Sequence, residues 1–152
     1  MAEPEGILIV EDNADDIFFL QRGMSKARLS EPVTFVCDGR GALQYLAASE
    51  DRSDWSLPKL ILLDLSLPEL SGLRVLEWLR GQARFKDIPV VVFTGMADPA
   101  YLTRAVALGA ARCYTKNPEV CNWDVMLGEL AQQFGLRTVA RRAELLEAVQ
   151  AV

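Results

Sequence analysis

The stretch LILLDLSLPELSG, residues 60–72, sets four aliphatic residues directly before one acid, Asp64, and follows them with a turn-forming run. Four apolar residues with no polar alternation read as a strand covered on both faces, the mark of a parallel sheet. A carboxylate at the end of such a strand is costly to desolvate unless something uses it. Similar runs occupy Ile7–Val10, Val33–Cys37, Ile88–Phe93 and, more weakly, Ala111–Thr115. Between them lie helix-period segments of roughly a dozen residues, the length a parallel crossover needs.

The first helix is expected over Ala14–Ala27, with Ile17, Leu20, Met24 and Ala27 on one stripe. The second covers Gly41–Ala48 and the third Gly72–Gln82. The fourth runs from Asp98 to Leu108, with Asp98 as N-cap and Pro99 at the first helical position. The fifth carries Trp123, Leu127, Leu130 and Phe134 at helical spacing, a stripe read as core packing, and Gly135 follows as its C-terminal stop. Five strands each followed by a helix predict an α/β domain with a doubly wound five-stranded parallel sheet. SEDRSDWSLP, 49–58, is a polar loop, and TVARRAELLEAVQAV, 138–152, is a further helix candidate with Val139, Ala143, Leu146 and Val149 on one face. The expected division is one domain over residues 1–136 and a helical extension over 137–152.

Composition narrows the function. The chain has 152 residues, 51% hydrophobic and 24% charged, with a net charge of −5, which disfavours a general nucleic-acid binder. No apolar run is long enough to span a bilayer, and MAEPEG lacks the basic and apolar regions of a signal peptide. Cys37, Cys113 and Cys121 are odd in number and show no CxxC spacing, as expected of free thiols in the cytoplasm. There is no histidine, so Ser-His-Asp, Cys-His and HExxH chemistry is absent from this chain.

In an open parallel sheet, ligands gather beyond the carboxyl ends of the strands. Those ends bring Glu11 and Asp12, Asp64, Thr94 and Lys116 to one edge. Any one alone is ordinary: an acid pair in a solvated loop, a helix-capping Asp, a surface lysine. Together they answer one need. Three crowded carboxylates repel, and a hard divalent cation relieves them; Mg²⁺ takes one or two carboxylates, keeps waters and accepts a phosphate oxygen. Asp12 and Asp64 are the expected direct ligands, with Glu11 acting through water and a backbone carbonyl just after Asp64, that of Ser66, completing the set. Lys116 balances charge, and Thr94 offers a hydroxyl to an anion. These are the parts for phosphoryl transfer onto a carboxylate, with Asp64 as nucleophile.

LIVEDN, LILLDLSLPELSG, VVVFTG and YTKNP resemble the receiver domains of bacterial two-component response regulators over nearly all of Gly6–Phe134. VEDNADD, CDGRGALQYL and the long loop before the third strand are most similar to stand-alone regulators that partner phytochrome-type sensor kinases. The resemblance implies a (βα)5 flavodoxin-like fold and a phosphohistidine on a sensor histidine kinase or phosphotransfer protein as donor to Asp64, with Mg²⁺ bound. It also implies that Thr94 turns inward to the phosphoryl oxygen, that Lys116 contacts another, and that the face of the fourth helix, fifth strand and fifth helix then shifts. The switch position three residues before the lysine, often aromatic in the family, is Cys113, with Tyr114 beside it. The second acid usual before the loop glycine is Ser71, and Asn117 intervenes between Lys116 and Pro118.

Other functions are less well served. Phosphatases that use an aspartate nucleophile need a second Asp two residues on, where this chain has Ser66. No GxxxxGK[ST] loop is present, and GRGALQ fails the dinucleotide pattern. Only 18 residues follow Phe134, so output is expected through docking to another protein or onward phosphoryl relay. The tail is read as a packed sixth helix, a homodimer element or a frayed end.

Overall fold

The computed structural model describes residues 3–52, 54–95, 98–140, 146–147 and 149–150. Five strands, β1 (Ile7–Val10), β2 (Val33–Val36), β3 (Leu60–Leu63), β4 (Val90–Thr94) and β5 (Arg112–Thr115), form one parallel sheet in the order β2-β1-β3-β4-β5. The helices are α1 (Ala14–Lys26), α2 (Gly39–Ala48), α3 (Gly72–Gly81), α4 (Pro99–Ala107) and α5 (Trp123–Gln133). This is the doubly wound flavodoxin-like fold expected from the sequence, and its order reverses between β1 and β3.

The unalternated apolar runs follow from helices on both faces. Leu8, Val10, Ile61, Leu63, Val90 and Val92 pack with α2, α3 and α4. Ile7, Ile9, Leu60, Leu62, Val91 and Phe93 pack with α1 and α5. In α1 the buried residues are Leu20, Gly23 and Met24, while Phe18 and Phe19 face solvent. Trp123 packs edge-on against Phe93, with ring centroids 4.7 Å apart, so the α5 stripe is core packing.

Several boundaries differ from expectation. The second strand stops at Val36, and Asp38 caps α2, which starts at Gly39 rather than Gly41. The fourth strand begins at Val90 because Pro89 has no N–H to give the ladder; its carbonyl still accepts the Ile61 N–H at 2.9 Å. Residues Ser49–Asp51 of the polar loop form a 3₁₀ turn. Asp98 does cap α4 with Pro99 at its start. Gly135, at φ +62°, ends α5, and the Leu136 N–H returns to the Ala131 carbonyl at 2.9 Å.

The C-terminal extension does not start as a helix at Thr138. Thr138 bridges Leu29 in antiparallel fashion, the Ser30 N–H donates to Arg137 O, and the Val139 N–H donates to Arg28 O. Glu31 explains the extended path. Its side chain is fully buried and accepts from the backbone N–H of Gly6 and of Arg137, both at 2.8 Å, and from Lys59 Nζ at 3.0 Å. Beyond Ala140, residues 141–145, 148, 151 and 152, including Ala143 of the expected stripe, lie outside the described residues. Leu146, Glu147, Val149 and Gln150 are helical, and Val139, Leu146 and Val149 are exposed.

Two substitutions test these supports. A Cβ on Gly72 would collide with the Asp64 carbonyl oxygen and lie 2.6 Å from Leu65 Cα, so α3 docks on β3 only through a glycine. Gly72→Ala is expected to cost about 2 kcal/mol in urea unfolding. Burial alone would raise the Glu31 pKa, but the Arg137 and Gly6 N–H groups and the Lys59 ammonium outweigh it and hold it at about 2. A depressed carboxylate pKa stabilises the fold above the unfolded value, near 4.5, and loses that contribution as pH falls toward 2. Glu31→Gln should therefore unfold about 2 kcal/mol more easily at pH 7, and thermal melts should show the gap closing between pH 4.5 and 2.

Candidate functional site

The site is assembled by strand parity. Glu11 and Asp12 follow β1, Asp64 follows β3, Thr94 is the last residue of β4, and Lys116 follows β5. Alternate strand residues face alternate layers. Glu11, Asp64 and Lys116 continue the series of Ile9, Leu62 and Tyr114, which faces α1 and α5. Thr94 continues the series of Val90 and Val92, which faces the other layer. The three charged groups thus lean toward one helix pair, and Thr94 closes on them from the opposite side.

All five predicted positions meet at this edge. Lys116 Nζ donates to Glu11 Oε2 at 2.6 Å and to Asp64 Oδ2 at 2.8 Å. Asp64 Oδ1 accepts from Thr94 Oγ1 at 2.8 Å and from the Ser66 N–H at 3.0 Å. Both Asp64 oxygens are therefore oriented by donors from three other chain positions. Glu11, Asp64 and Thr94 are almost fully buried, whereas Asp12 is exposed at the mouth. Carboxylate oxygens of Glu11, Asp12 and Asp64 all lie within 4.8 Å of one another.

One participant escaped the sequence reading. Asp16, in the first turn of α1, accepts from Lys116 Nζ at 2.7 Å. First-turn acids commonly serve only the helix dipole; the available signal was an acid three residues after the N-cap Asn13, a position aimed back toward the strand end.

The electrostatics follow from this crowding. Burial raises the Glu11 pKa, the nearby Asp64 charge adds to that, and hydrogen bonds from Lys116 and the Asn13 N–H pull the other way. Burial would lower the Lys116 pKa, but its bonds to Asp16, Asp64 and Glu11 outweigh burial and hold it above the ordinary lysine value. Three carboxylates bond the Lys116 ammonium and Asp12 lies beside two of them, so the four acids and one lysine carry a formal surplus of three negative charges. A set of hard oxygen donors with that surplus and an exposed mouth fits a divalent cation.

Cys113 and Tyr114, neighbours on β5, face opposite layers. Cys113 packs with the α3–α4 layer. Tyr114 lies on the α5 side, where its hydroxyl donates to Glu129 Oε2 at 2.9 Å and Arg112 stacks 4.8 Å from its ring centroid. Burial and the Glu129 bond push the Tyr114 phenol up to about 12. Cys37, Cys113 and Cys121 are free thiols.

Known proteins are similar to this chain in sequence and in fold. The family description of the response regulator receiver domain fits residues 7–122. The probable methanogenesis regulatory protein FilR2 of Methanothrix harundinacea is 36% identical over 68% of this chain and 66% of its own length. Response regulator Rcp1 of Synechocystis is 34% identical over 60% of this chain and 62% of its own length. The chain thus spans less than two thirds of each. The crystal structure of the Mn²⁺-bound form of Rcp1 superposes with a TM-score of 0.75 at 28% identity, covering 90% of this chain and 98% of that one. The phosphorylated cyanobacterial phytochrome response regulator RcpA superposes equally well, at 0.75 and 28%, over 86% and 94% of the two chains. No helix among the described residues is long and apolar enough to cross a membrane. With the sheet order, the gathered acids and a family match running from β1 to the threshold of α5, the chain belongs to the response regulator receiver domains, the signalling domains of two-component systems.

Proposed function

We propose that Asp64 accepts a phosphoryl group from a phosphohistidine on a sensor histidine kinase or phosphotransfer protein and that the chain signals through changed protein binding or onward relay. The observation that carries this is the Asp64 carboxylate itself: buried, oriented by Thr94, Ser66 and Lys116, and set among acids that suit a cation. An Asp64 oxygen attacks phosphorus as the P–N bond breaks, the imidazole leaves with the bonding pair, and an acyl phosphate forms. Lys116 and the Thr94 hydroxyl then bond phosphoryl oxygens.

Asp12, Asp64, the Ser66 backbone carbonyl and, through water, Glu11 would hold Mg²⁺. When bound, the ion neutralises charge on the transferring group. The chain's own residues do the rest: Thr94 and Ser66 keep Asp64 oriented, Lys116 supplies a fixed positive charge, and the buried strand ends limit water. Ser66, in place of a second acid, supports a domain that promotes only its own phosphorylation and dephosphorylation.

Cys113 is the switch position, too small to follow Thr94 as an aromatic would, while Tyr114 is engaged by Glu129 on the other face. Likeness to Rcp1 and to a phytochrome response regulator supports a phytochrome-type kinase as partner, and three free thiols suit a cytoplasmic setting. The receiver unit is taken as 1–136. The 137–152 extension, with Val139, Leu146 and Val149 exposed, is a candidate homodimer element.

Incubation with Mg²⁺ and acetyl phosphate, followed by intact-mass spectrometry, tests the assignment. One added phosphoryl group is expected, prevented when the metal is chelated beforehand and absent from Asp64→Asn. Unchanged labelling of Asp64→Asn would overturn it.

A further inference from the structure

Asp16 is the third residue of α1, and its N–H donates to the Oδ1 of the capping Asn13 at 3.0 Å. An acid in that place ordinarily turns back to bond the N–H of the capping residue. Here the Asn13 N–H is already taken by Glu11 Oε1 at 3.1 Å. The Asp16 carboxylate instead reaches Lys116 Nζ, 100 residues away in sequence. Its side chain is 23% exposed, against 53% and 42% for Lys26 and Asp124, the ion pair that joins α1 to α5 at the surface. Asp16 is thus part of the site's interior and not a solvated surface acid.

Donor counting gives it a task. An ammonium has three N–H donors, and Lys116 spends them on Glu11, Asp16 and Asp64. Once Asp64 carries a phosphoryl group, Lys116 must turn a donor to a phosphoryl oxygen, so one existing bond is given up. Glu11 and Asp64 both belong to the trio whose oxygens converge for a cation, and Asp16 does not. Of the three acceptors, Asp16 alone is neither the phosphoacceptor nor a member of that trio.

We infer that Asp16 is a positioning residue: it anchors Lys116 to α1 while the ammonium exchanges its other partners, and so sets the rate at which Asp64 is phosphorylated. The inference rests on Asp64 being the phosphoacceptor. A purely helical role for Asp16 would change stability and leave that rate alone.

The test compares the full chain with Asp16→Ala, Asp16→Asn and Asp64→Asn. Phosphorylation rate is measured against acetyl phosphate concentration, and Mg²⁺ affinity by titration calorimetry. Asp16→Ala should lower the maximal rate about tenfold, the scale of a lost charge-assisted hydrogen bond. Asp16→Asn, which keeps an acceptor oxygen, should recover part of it. The half-saturating donor concentration and the Mg²⁺ affinity should stay within about twofold of the parent. Parent-like maximal rates in both variants would overturn the inference. So would a Mg²⁺ affinity that falls in step with the rate, since Asp16 would then be a cation ligand. Absence of labelling in the parent, or labelling of Asp64→Asn, would instead remove the phosphoacceptor assignment and the inference with it.

Discussion

Lys116 Nζ sits 2.6 to 2.8 Å from three carboxylates that come from the end of β1, the first turn of α1 and the end of β3. Glu11 and Asp64 are nearly inaccessible, and two buried carboxylates this close would not both stay ionised without a cation among them. The reach explains the local packing. In the sheet order, β5 lies two places from β3, about 10 Å at the usual strand spacing. The lysine stem spans this over β4, with the ammonium 5.8 Å from the centre of the Phe93 ring. Phe93 is in turn held by Trp123 at the start of α5. Removing the ammonium would leave an uncompensated buried charge, a larger loss than the contact's own strength.

That arrangement depends on the parallel sheet. Parallel strands enter from one end and leave at the other, so the polar residue after each apolar run arrives at a common edge. Parity then directs Glu11, Asp64 and Lys116 toward α1 and α5 and brings Thr94 from the opposite layer. Gly72 permits the close seating of α3 on the Asp64 backbone. At the far end of the strands, Glu31 ties β1, β3 and the chain after α5 together, leaving the site edge open.

Much of this was legible in the chain because both-faces burial leaves a plain mark: Ile7–Val10 and Leu60–Leu63 are uninterrupted aliphatic runs, each ended by an acid. Asp98 and Gly135 were equally readable, since capping and positive φ make narrow demands on residue type. What was not legible depended on partners distant in sequence. Asp16 has an unremarkable local pattern, and only the fold brings Lys116 to it. Thr138 carries helix-like periodicity after it, yet Arg137 is captured in extended form by a buried Glu31 that no local signal marks. Pro89 shortened a strand whose apolar pattern ran through it, because the ladder needs an N–H that proline lacks.

In the proposed mechanism the response to phosphorylation passes through Thr94 and Lys116 without an aromatic at position 113, since Tyr114 faces α5 and is bound to Glu129. In that mechanism phosphorus is joined to Asp64 and to no other acid of the cluster. Borohydride reduction of the phosphorylated protein, followed by peptide mass spectrometry, converts an acyl phosphate to an alcohol and so marks the carboxylate that carried it. Homoserine is expected at position 64 alone. Reduction at Glu11, Asp12 or Asp16 with Asp64 intact would contradict it.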